Sequence, residues 1–207
     1  MRRIICISRE YGSGGHEVAE KAAQLLGIPC LDKQLMEQAI SFSGLPQELL
    51  KEAEEKLTNP FLYTTVYHGS RREFYGKAPG DIVFELEKRH IIEQAEKGDC
   101  IIVGRCAEEI LKDSGHLVVN VFITAPLPYR IQRKQREFPD MDKRKLESHI
   151  RQVDKQRKAY YEYHTGKDWG CPYNYDICLN SGSMGTERIA GLIVESFGKI
   201  TREEERK

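Results

Sequence analysis

Short apolar runs recur along the chain, and segments with helical periodicity lie between them. Five runs have the length and composition of strands, at residues 4–8, 28–31, 100–104, 117–123 and 176–180. Four of them lack polar alternation, which is typical of parallel strands that are covered on both faces. The pattern therefore predicts a buried parallel sheet of five strands.

The intervening segments repeat apolar residues at helical spacing. Residues 16–26 place valine, alanine and leucine side chains on one side and end at a glycine. Asp81 is the expected N-cap of a second helix that ends at Gly98, and residues 105–112 and 187–197 complete the set. Because strands alternate with helices, we expect βαβ units and a doubly wound, three-layer α/β fold.

Two segments are longer than a simple alternation of strands and helices requires. Residues 33–80 contain two short helical patterns and an aromatic loop with glycine. Residues 126–170 form long polar helical patterns with twelve basic and seven acidic residues, a local excess of five positive charges. The chain as a whole carries 32 basic and 32 acidic residues, so the charge of the second segment stands out from the rest.

Composition narrows the classes of function. The chain has 207 residues, no net charge, 40% hydrophobic and 31% charged residues, as in an ordinary soluble protein. A general nucleic-acid binder would carry a basic excess, and a membrane helix needs about 18 consecutive apolar residues, which no stretch approaches. The six cysteines form no CxxC pair, so we expect reduced thiols in a cytoplasmic protein without a nucleic-acid or membrane partner.

A glycine-rich turn joins the first predicted strand to the first predicted helix. It contains three glycines within four residues. Glycines let the backbone approach a phosphate closely, and the N–H groups and dipole of the following helix favour negative charge. We therefore predict a phosphate site formed by Ser8, Gly12, Ser13, Gly14, Gly15 and His16.

Two phosphate motifs compete for this turn. In a P-loop, GxxxxGK[ST], Gly14 would be the second glycine, which puts Gly15 at the lysine and His16 at the hydroxyl residue. Arg9 then occupies the place of the first glycine. In a dinucleotide fingerprint, GxGxxG, Glu17 replaces the third glycine. Neither motif is complete.

Asp32 follows the second predicted strand, where the acid of a dinucleotide site would bind ribose, so the motif alone leaves both interpretations open. The basic segment favours phosphoryl transfer. It contains Arg130 with Arg133 and Asp154 with Arg157, each pair three residues apart and therefore on one helix face. Arginines that close over a transferring phosphoryl group stabilise its charge, whereas hydride transfer needs no such segment.

Five stretches occur in an order that is typical of one protein family. They are residues 7–15 (ISREYGSGG), 101–105 (IIVGR), 121–125 (VFITA) leading to Arg130 and Arg133, 154–157 (DKQR), and 160–176. In these stretches the sequence resembles the cytidylate kinase-like proteins, relatives of the nucleoside monophosphate kinases, over nearly its whole length. The resemblance implies one kinase-like domain of the P-loop kinase type with a core at 1–32, 98–125 and 171–200, an acceptor-binding insert at 33–97 and a helical lid at 126–170.

The resemblance also implies a phosphotransferase that uses ATP and Mg²⁺ and acts on a small acceptor, such as CMP or another pyrimidine nucleoside monophosphate. Arg105 then corresponds to the arginine that grips the acceptor phosphate, Asp32 to the acid that contacts the acceptor nucleotide, and Asp154 to the family's Asp-x-x-Arg. Around the arginine that corresponds to Arg105 the family has Glu-Gly-Arg-Asp. This chain has Val103 and Cys106 in place of the two acids.

The lid arginines implied by the resemblance are Arg130, Arg133 and Arg157. Without the P-loop lysine, either Arg9 or a lid arginine has to neutralise the donor phosphates, because arginine is a good bidentate phosphate ligand. Ser8 or Ser13 would supply the hydroxyl group that a P-loop places on Mg²⁺.

Two other functions stay open at this point. A degenerate kinase would bind nucleotides without turnover, which the missing lysine favours. A dinucleotide-dependent oxidoreductase would use Gly12, Gly14 and Asp32. The sequence determines neither the phosphoryl acceptor nor the oligomeric state, and it leaves a homo-oligomer open.

Overall fold

The structure is a computed structural model that describes residues 1–32 and 72–199. The strands are β1 (Arg3–Arg9), β2 (Cys30–Leu31), β3 (Cys100–Val103), β4 (Leu117–Thr124) and β5 (Ile177–Asn180). The α-helices are α1 (Gly15–Leu26), α2 (Pro79–Lys97), α3 (Ala107–Leu111), α4 (Leu127–Glu137), α5 (Lys143–Thr165), α6 (Ser181–Met184) and α7 (Thr186–Phe197), with short 3₁₀ helices at Arg72–Phe74 and Pro172–Asn174.

All strand pairs of the sheet are parallel, and the strand order is β2-β3-β1-β4-β5. β1 is central, since Ile5 pairs with Ile101 of β3 on one side and with Val119 of β4 on the other. The predicted five-stranded parallel sheet is thus confirmed. A dinucleotide-binding sheet places β2 next to β1, so the observed order argues against the oxidoreductase alternative.

The two faces of the sheet are covered by different helices because successive strand residues point to opposite sides. Ile5 and Ile7 pack with α1 and α7, which contribute Val18 and Ile193 among others. Ile4 and Cys6 pack on the opposite face, in the cluster that includes residues of α2 and α3. The predicted three-layer architecture follows from this alternation.

The helix predicted to follow an N-cap at Asp81 begins three residues earlier than expected, and Asp81 is not its N-cap. α2 starts at Pro79 with Ala78 as the N-cap, and Asp81 lies in its first turn. Proline is well suited to the first helical position because its φ is already helical and its missing N–H would have no partner there. The acidic residue still favours the positive end of the helix.

The predicted lid segment consists of α4 and α5. Asp142 caps α5, since its carboxylate accepts from the backbone N–H groups of Arg144 at 2.9 Å and Lys145 at 3.4 Å. Of the predicted insert, residues 33–71 lie outside the described part of the chain. Within residues 1–32 and 72–199, no helix combines the length and the apolar composition of a membrane span.

Helix α5 packs against α2 through aromatic side chains. The ring of His164 stacks on that of Phe84, with centroids 3.8 Å apart and planes inclined by 12°. Tyr160 and Tyr163 contact the same imidazole edge-on. Burial lowers the pKa of His164 to about 4, although the nearby charge of Asp81 acts to raise this pKa. The imidazole is therefore neutral at pH 7 and contributes an apolar face to the contact.

This contact makes stability depend on pH. The pKa of His164 is about 4 in the folded chain and 6.5 in the unfolded chain, so below pH 6.5 the unfolded state binds the proton more readily. We expect His164→Phe to leave stability nearly unchanged at pH 7.5 and to reduce the loss of stability between pH 6.5 and pH 4. Urea unfolding of both proteins at several pH values measures this, and parallel stability profiles would contradict it.

Candidate anion-binding site

The glycine-rich turn lies between β1 and α1, at the carboxyl edge of the sheet. Gly12 and Gly14 have φ values of 81° and 82°, which residues with side chains rarely adopt. Space is also limited: a Cβ atom on Gly14 would lie 2.7 Å from Thr186 Cγ2, and one on Gly12 would lie 3.1 Å from Arg130 Cβ. Both positions therefore require glycine, and the turn is in close contact with α4.

Glu10 attaches this turn to the neighbouring strand. Its Oε2 accepts hydrogen bonds from Thr124 Oγ1 at 2.5 Å and from the backbone N–H of Ala125 at 2.9 Å. The hydroxyl of Ser13, a fully buried residue, donates to the carbonyl oxygen of Glu10 at 2.8 Å. The shape of the turn is therefore fixed before any ligand binds.

The side chain of Arg9 extends from the end of β1 to the end of β3. A Cβ atom on Gly15 would lie 2.5 Å from Arg9 Cβ, and a Cβ atom on Gly104 would overlap Arg9 Nη1. The two glycines thus leave the space that the arginine fills. Gly15 occupies the position of the P-loop lysine. The lack of a side chain there therefore also provides the space for Arg9.

Three guanidinium groups lie close enough for their charges to interact at this edge of the sheet. Burial, with the nearby charges of Arg157 and Arg105, lowers the pKa of Arg9 well below the usual value of an arginine, against the opposing charge of Asp32. Burial also lowers the pKa of Arg157, which donates from Nη1 to the carbonyl oxygen of Arg9 at 3.0 Å. Since arginines stay protonated in proteins, these shifts indicate a site where an anion would be stabilised.

Within the described residues, Arg9 and Arg157 form no ion pair with a carboxylate within 4.0 Å. Arg105 does, since its Nη1 lies 3.1 Å from Oε1 of Glu87, a completely buried residue of α2. The hydroxyl of Tyr160 on α5 donates to Oε2 of the same carboxylate at 2.8 Å. We call Arg9, Arg105 and Arg157 the arginine cluster.

Two other predicted arginines, Arg130 and Arg133, are also bound to carboxylates. Arg130 Nη1 is 2.5 Å from Oδ2 of Asp154, and its Nη2 is 3.5 Å from Glu10. The backbone N–H of Tyr11 donates to Oδ1 of Asp154 at 2.7 Å. Asp154 thus joins α4 and α5 to the glycine-rich turn, and its carboxylate holds Arg130 in place.

Arg133 is bound in the same way by Glu17. Its Nη2 lies 2.6 Å from Glu17 Oε2, next to Gly14, and the hydroxyl of Thr186 donates to Oε1 of Glu17 at 2.8 Å. Despite the opposing effect of partial burial, hydrogen bonds from Lys21, Arg133 and Thr186 lower the pKa of Glu17 to about 2. The carboxylate is therefore charged at neutral pH and competes with a phosphate for Arg133.

The remaining predicted residues divide into two groups. Asp32 lies at the end of β2 within electrostatic range of Arg9, and His16 Nε2 lies 3.8 Å from Oδ2 of Asp32. Ser8 belongs to the opposite face of the sheet from Arg9, where it is buried close to Tyr175. The structure therefore brings Asp32 and His16 to the site and leaves the side chain of Ser8 away from the turn.

Sequence analysis missed two acidic residues that organise the site. Glu10 lies inside the ISREYGSGG stretch, so its place next to the turn could have been noticed. Glu87 gives no such signal, because it is one of many charged residues in a helix and only the packing of α2 shows that it is buried.

A protein-held metal does not fit the described residues well. Ser13, the predicted ligand for Mg²⁺, is fully buried, and its hydroxyl donates to Glu10. In residues 1–32 and 72–199 no three side chains of histidine, cysteine, aspartate or glutamate are grouped as metal ligands. A Mg²⁺ ion would have to be bound mainly through the phosphates of a substrate, as is common for this ion.

Comparison with known proteins identifies the family of the chain and structures of similar fold. The profile of the cytidylate kinase-like family matches residues 4–183. No curated protein matches the chain significantly. The solved structure of an uncharacterized protein from Eubacterium ventriosum is similar, with 27% identity, a TM-score of 0.70, and coverage of 95% of this chain and 99% of that chain.

A shikimate kinase from Bacteroides thetaiotaomicron is similar in fold at 16% identity, with a TM-score of 0.52 and coverage of 95% of this chain and 98% of that one. Together with the strand order and the turn between β1 and α1, these matches assign the fold of the P-loop kinases. The family match spans most of the sequence and includes the turn, the arginine cluster, α4 and α5. The chain belongs to the cytidylate kinase-like family.

Proposed function

We propose that this protein transfers the γ-phosphoryl group of ATP to a small phosphorylated acceptor, with CMP as the first candidate. The observation that carries the proposal is the arginine cluster beside a preformed glycine-rich turn. The turn provides backbone donors for a polyphosphate, and the cluster provides positive charge where a second phosphate and the transferring group would lie.

The donor phosphates are assigned to the turn at residues 10–15. The first N–H groups of α1 have no partners within the helix, and its dipole favours negative charge. A Cβ atom at Gly12 or Gly14 would restrict the backbone that approaches the ligand. Arg133 lies next to Gly14, so exchanging its bond to Glu17 for a bond to phosphate would bring a lid arginine to the donor.

The acceptor phosphate is assigned to the arginine cluster, with Arg105 as its main ligand. An oxygen of the acceptor phosphate attacks the γ-phosphorus, the bond from phosphorus to the β-phosphate oxygen breaks, and ADP leaves. A phosphate dianion carries no proton that must be removed before attack, so the protein contributes positioning and charge stabilisation. Arg9 and Arg157 are placed to stabilise the negative charge on the transferring group.

Arg9 is proposed to take over the role of the missing lysine. Its side chain fills the space left by Gly15 and Gly104, which puts its guanidinium among the other two arginines of the cluster. A lysine at position 15 would reach the phosphates from the start of α1, whereas Arg9 reaches them from the end of β1. ATP and Mg²⁺ are proposed as a pair, with the ion bound to the phosphates, and no step is assigned to a protein ligand of the metal.

A second candidate function is nucleotide binding without turnover. It is favoured by the bonds of Arg130 to Asp154 and of Arg133 to Glu17, which occupy two lid arginines with the protein's own carboxylates. A protein that kept these bonds when nucleotide binds would hold a ligand and leave the transferring group without lid charges.

Ligand-dependent stabilisation tests both candidates. A ligand that binds only the folded state raises the melting temperature, by an amount that corresponds to about 2.7 kcal/mol at a hundredfold excess over its Kd. We expect an ATP–CMP bisubstrate mimic to raise the melting temperature more than ATP or CMP alone, in the presence of Mg²⁺. A shift with ATP only would support the binding protein or a different acceptor, and no shift with any nucleotide would contradict the proposed site.

Replacing Arg157 tests the role of the cluster in turnover. Arginines that stabilise a transferring phosphoryl group contribute about 10³-fold or more to kcat. We expect Arg157→Ala to lower kcat by roughly that factor and to weaken nucleotide binding much less. Arg151→Ala is the matched control, because Arg151 is an exposed arginine of the same helix paired with Glu147. Equal losses in kcat and in affinity would count against the assignment.

Replacing Gly15 tests the path of Arg9. Because the new Cβ would lie 2.5 Å from Arg9 Cβ, Gly15→Ala must move β1 against α1 and displace the arginine. We expect a lower melting temperature and loss of the shift with the bisubstrate mimic. Gly191→Ala in α7 is the control: a Cβ there meets nothing within 4 Å, so stability should rise by about 0.5–1 kcal/mol. A Gly15→Ala protein with unchanged stability and ligand response would refute this account of Arg9.

A further inference from the structure

Glu87 is an unusual residue for the middle of a helix, because its side chain is completely buried and charged groups are rarely buried without partners. Its two oxygens face two different elements. Oε1 lies 3.1 Å from Nη1 of Arg105, which follows β3, and Oε2 accepts the hydroxyl hydrogen of Tyr160 from α5 at 2.8 Å. One carboxylate thus connects α2, the end of β3 and the lid helix.

The segment that Glu87 holds has a strained backbone. Gly104, Arg105 and Cys106 have φ values of 78°, 60° and 54°, and the last two are the non-glycine residues with positive φ in the described part of the chain. Side chains disfavour this region, and such strain is retained when surrounding contacts support it, often at functional sites. The turn directs Arg105 into the cluster and toward Glu87.

Tyr160, the residue of α5 that contacts Glu87, lies on the same face of the helix as Arg157 of the arginine cluster. Tyr160 follows Arg157 by three residues, so their side chains are neighbours on the helix surface. Arg157 donates to the carbonyl oxygen of Arg9, whereas Tyr160 donates to Glu87. When α5 is docked against the sheet, both contacts form together.

We propose that Glu87 is a positioning residue that sets the orientation of Arg105, and that the hydroxyl of Tyr160 makes this orientation depend on the docking of α5. The inference rests on the proposed function in one respect, namely that Arg105 binds a phosphate. It adds that the acceptor arginine is aligned by a buried carboxylate on α2 and that alignment is complete when the lid helix is in contact.

The alternative is that Glu87 only neutralises a buried arginine. In that case the ion pair between Glu87 and Arg105 would be sufficient by itself, and removing the hydroxyl of Tyr160 would change phosphate affinity little. The two roles differ in how phosphate affinity responds when one hydrogen bond is removed and the charges stay in place.

The experiment uses the full chain with Tyr160→Phe and Glu87→Gln. Tyr160→Phe removes the hydroxyl and leaves the carboxylate and the ring contacts with Phe84 and His164. It therefore tests the proposal even if Glu87→Gln fails to fold. Tyr163→Phe and Glu93→Gln are the matched controls: the exposed Tyr163 of α5 donates to a different carboxylate of α2, Asp81, at 3.3 Å, and the exposed Glu93 of α2 is paired with Lys97. The probe is inorganic phosphate, which requires no particular nucleotide, and Arg105→Lys identifies the part of its binding that belongs to the cluster.

Phosphate affinity is measured by ³¹P NMR titration. We expect the Kd for phosphate to rise about tenfold in Tyr160→Phe, which keeps all charges in place, and to stay unchanged in both controls. In Glu87→Gln we expect the Kd to rise as well, although the loss of a negative charge next to Arg105 would by itself favour an anion. Combining Glu87→Gln with Arg105→Lys should add little to the loss from Arg105→Lys alone, because the two residues act as one unit. Unchanged affinity in Tyr160→Phe, or additive losses in the double variant, would overturn the proposal.

Hydrogen exchange provides a second measurement that needs no ligand. The backbone N–H of Ala107 donates to the carbonyl oxygen of Gly104 at 3.3 Å and reports on the strained turn. We expect its exchange to be about tenfold faster in Glu87→Gln than in the wild type. If the wild-type protein binds no phosphate, the proposed function loses its acceptor site, and the exchange rate alone decides the positioning role: faster exchange supports it, and an unchanged rate overturns it.

Discussion

The structure of the site depends on the placement of three like charges at one edge of the sheet. The guanidinium groups of Arg9, Arg105 and Arg157 repel one another, and partial burial weakens the screening that water would provide. The three arginines stay together because each belongs to an element that the fold holds in place. These elements are the central strand, the turn after β3 and a 23-residue helix. An anion relieves the repulsion, which is why the same arrangement that is unfavourable alone is suited to binding a phosphate.

Carboxylates pair with three of the five arginines of this site: Glu87 with Arg105, Asp154 with Arg130 and Glu17 with Arg133. Asp154 and Glu17 hold Arg130 and Arg133 by ion pairs, and these bonds keep α4 in contact with the glycine-rich turn. A ligand must exchange such bonds before these arginines can contact phosphate. Arg9 and Arg157 need no such exchange within the described structure, so they provide the positive charge that is available first.

Much of the architecture could be predicted because it depends on local patterns. The five strands were recognisable as apolar runs, and their positions agree with the structure within two residues. Asp81 is not the predicted N-cap, because Pro79 takes the first helical position and places Asp81 in the first turn. Gly12, Gly14 and Gly15 were expected to form a phosphate turn, and the structure adds the reason why each cannot carry a side chain.

The sequence by itself determined the sheet, the glycine-rich turn and the family, because these depend on periodicity and on residues that are adjacent along the chain. Only the tertiary structure decided that Arg9 passes between Gly15 and Gly104, that Arg130 and Arg133 are bound by carboxylates, and that Glu87 is buried against Arg105. Those relations join residues that are far apart in the sequence. Charge pairing and burial depend on distances in space, which local patterns do not encode.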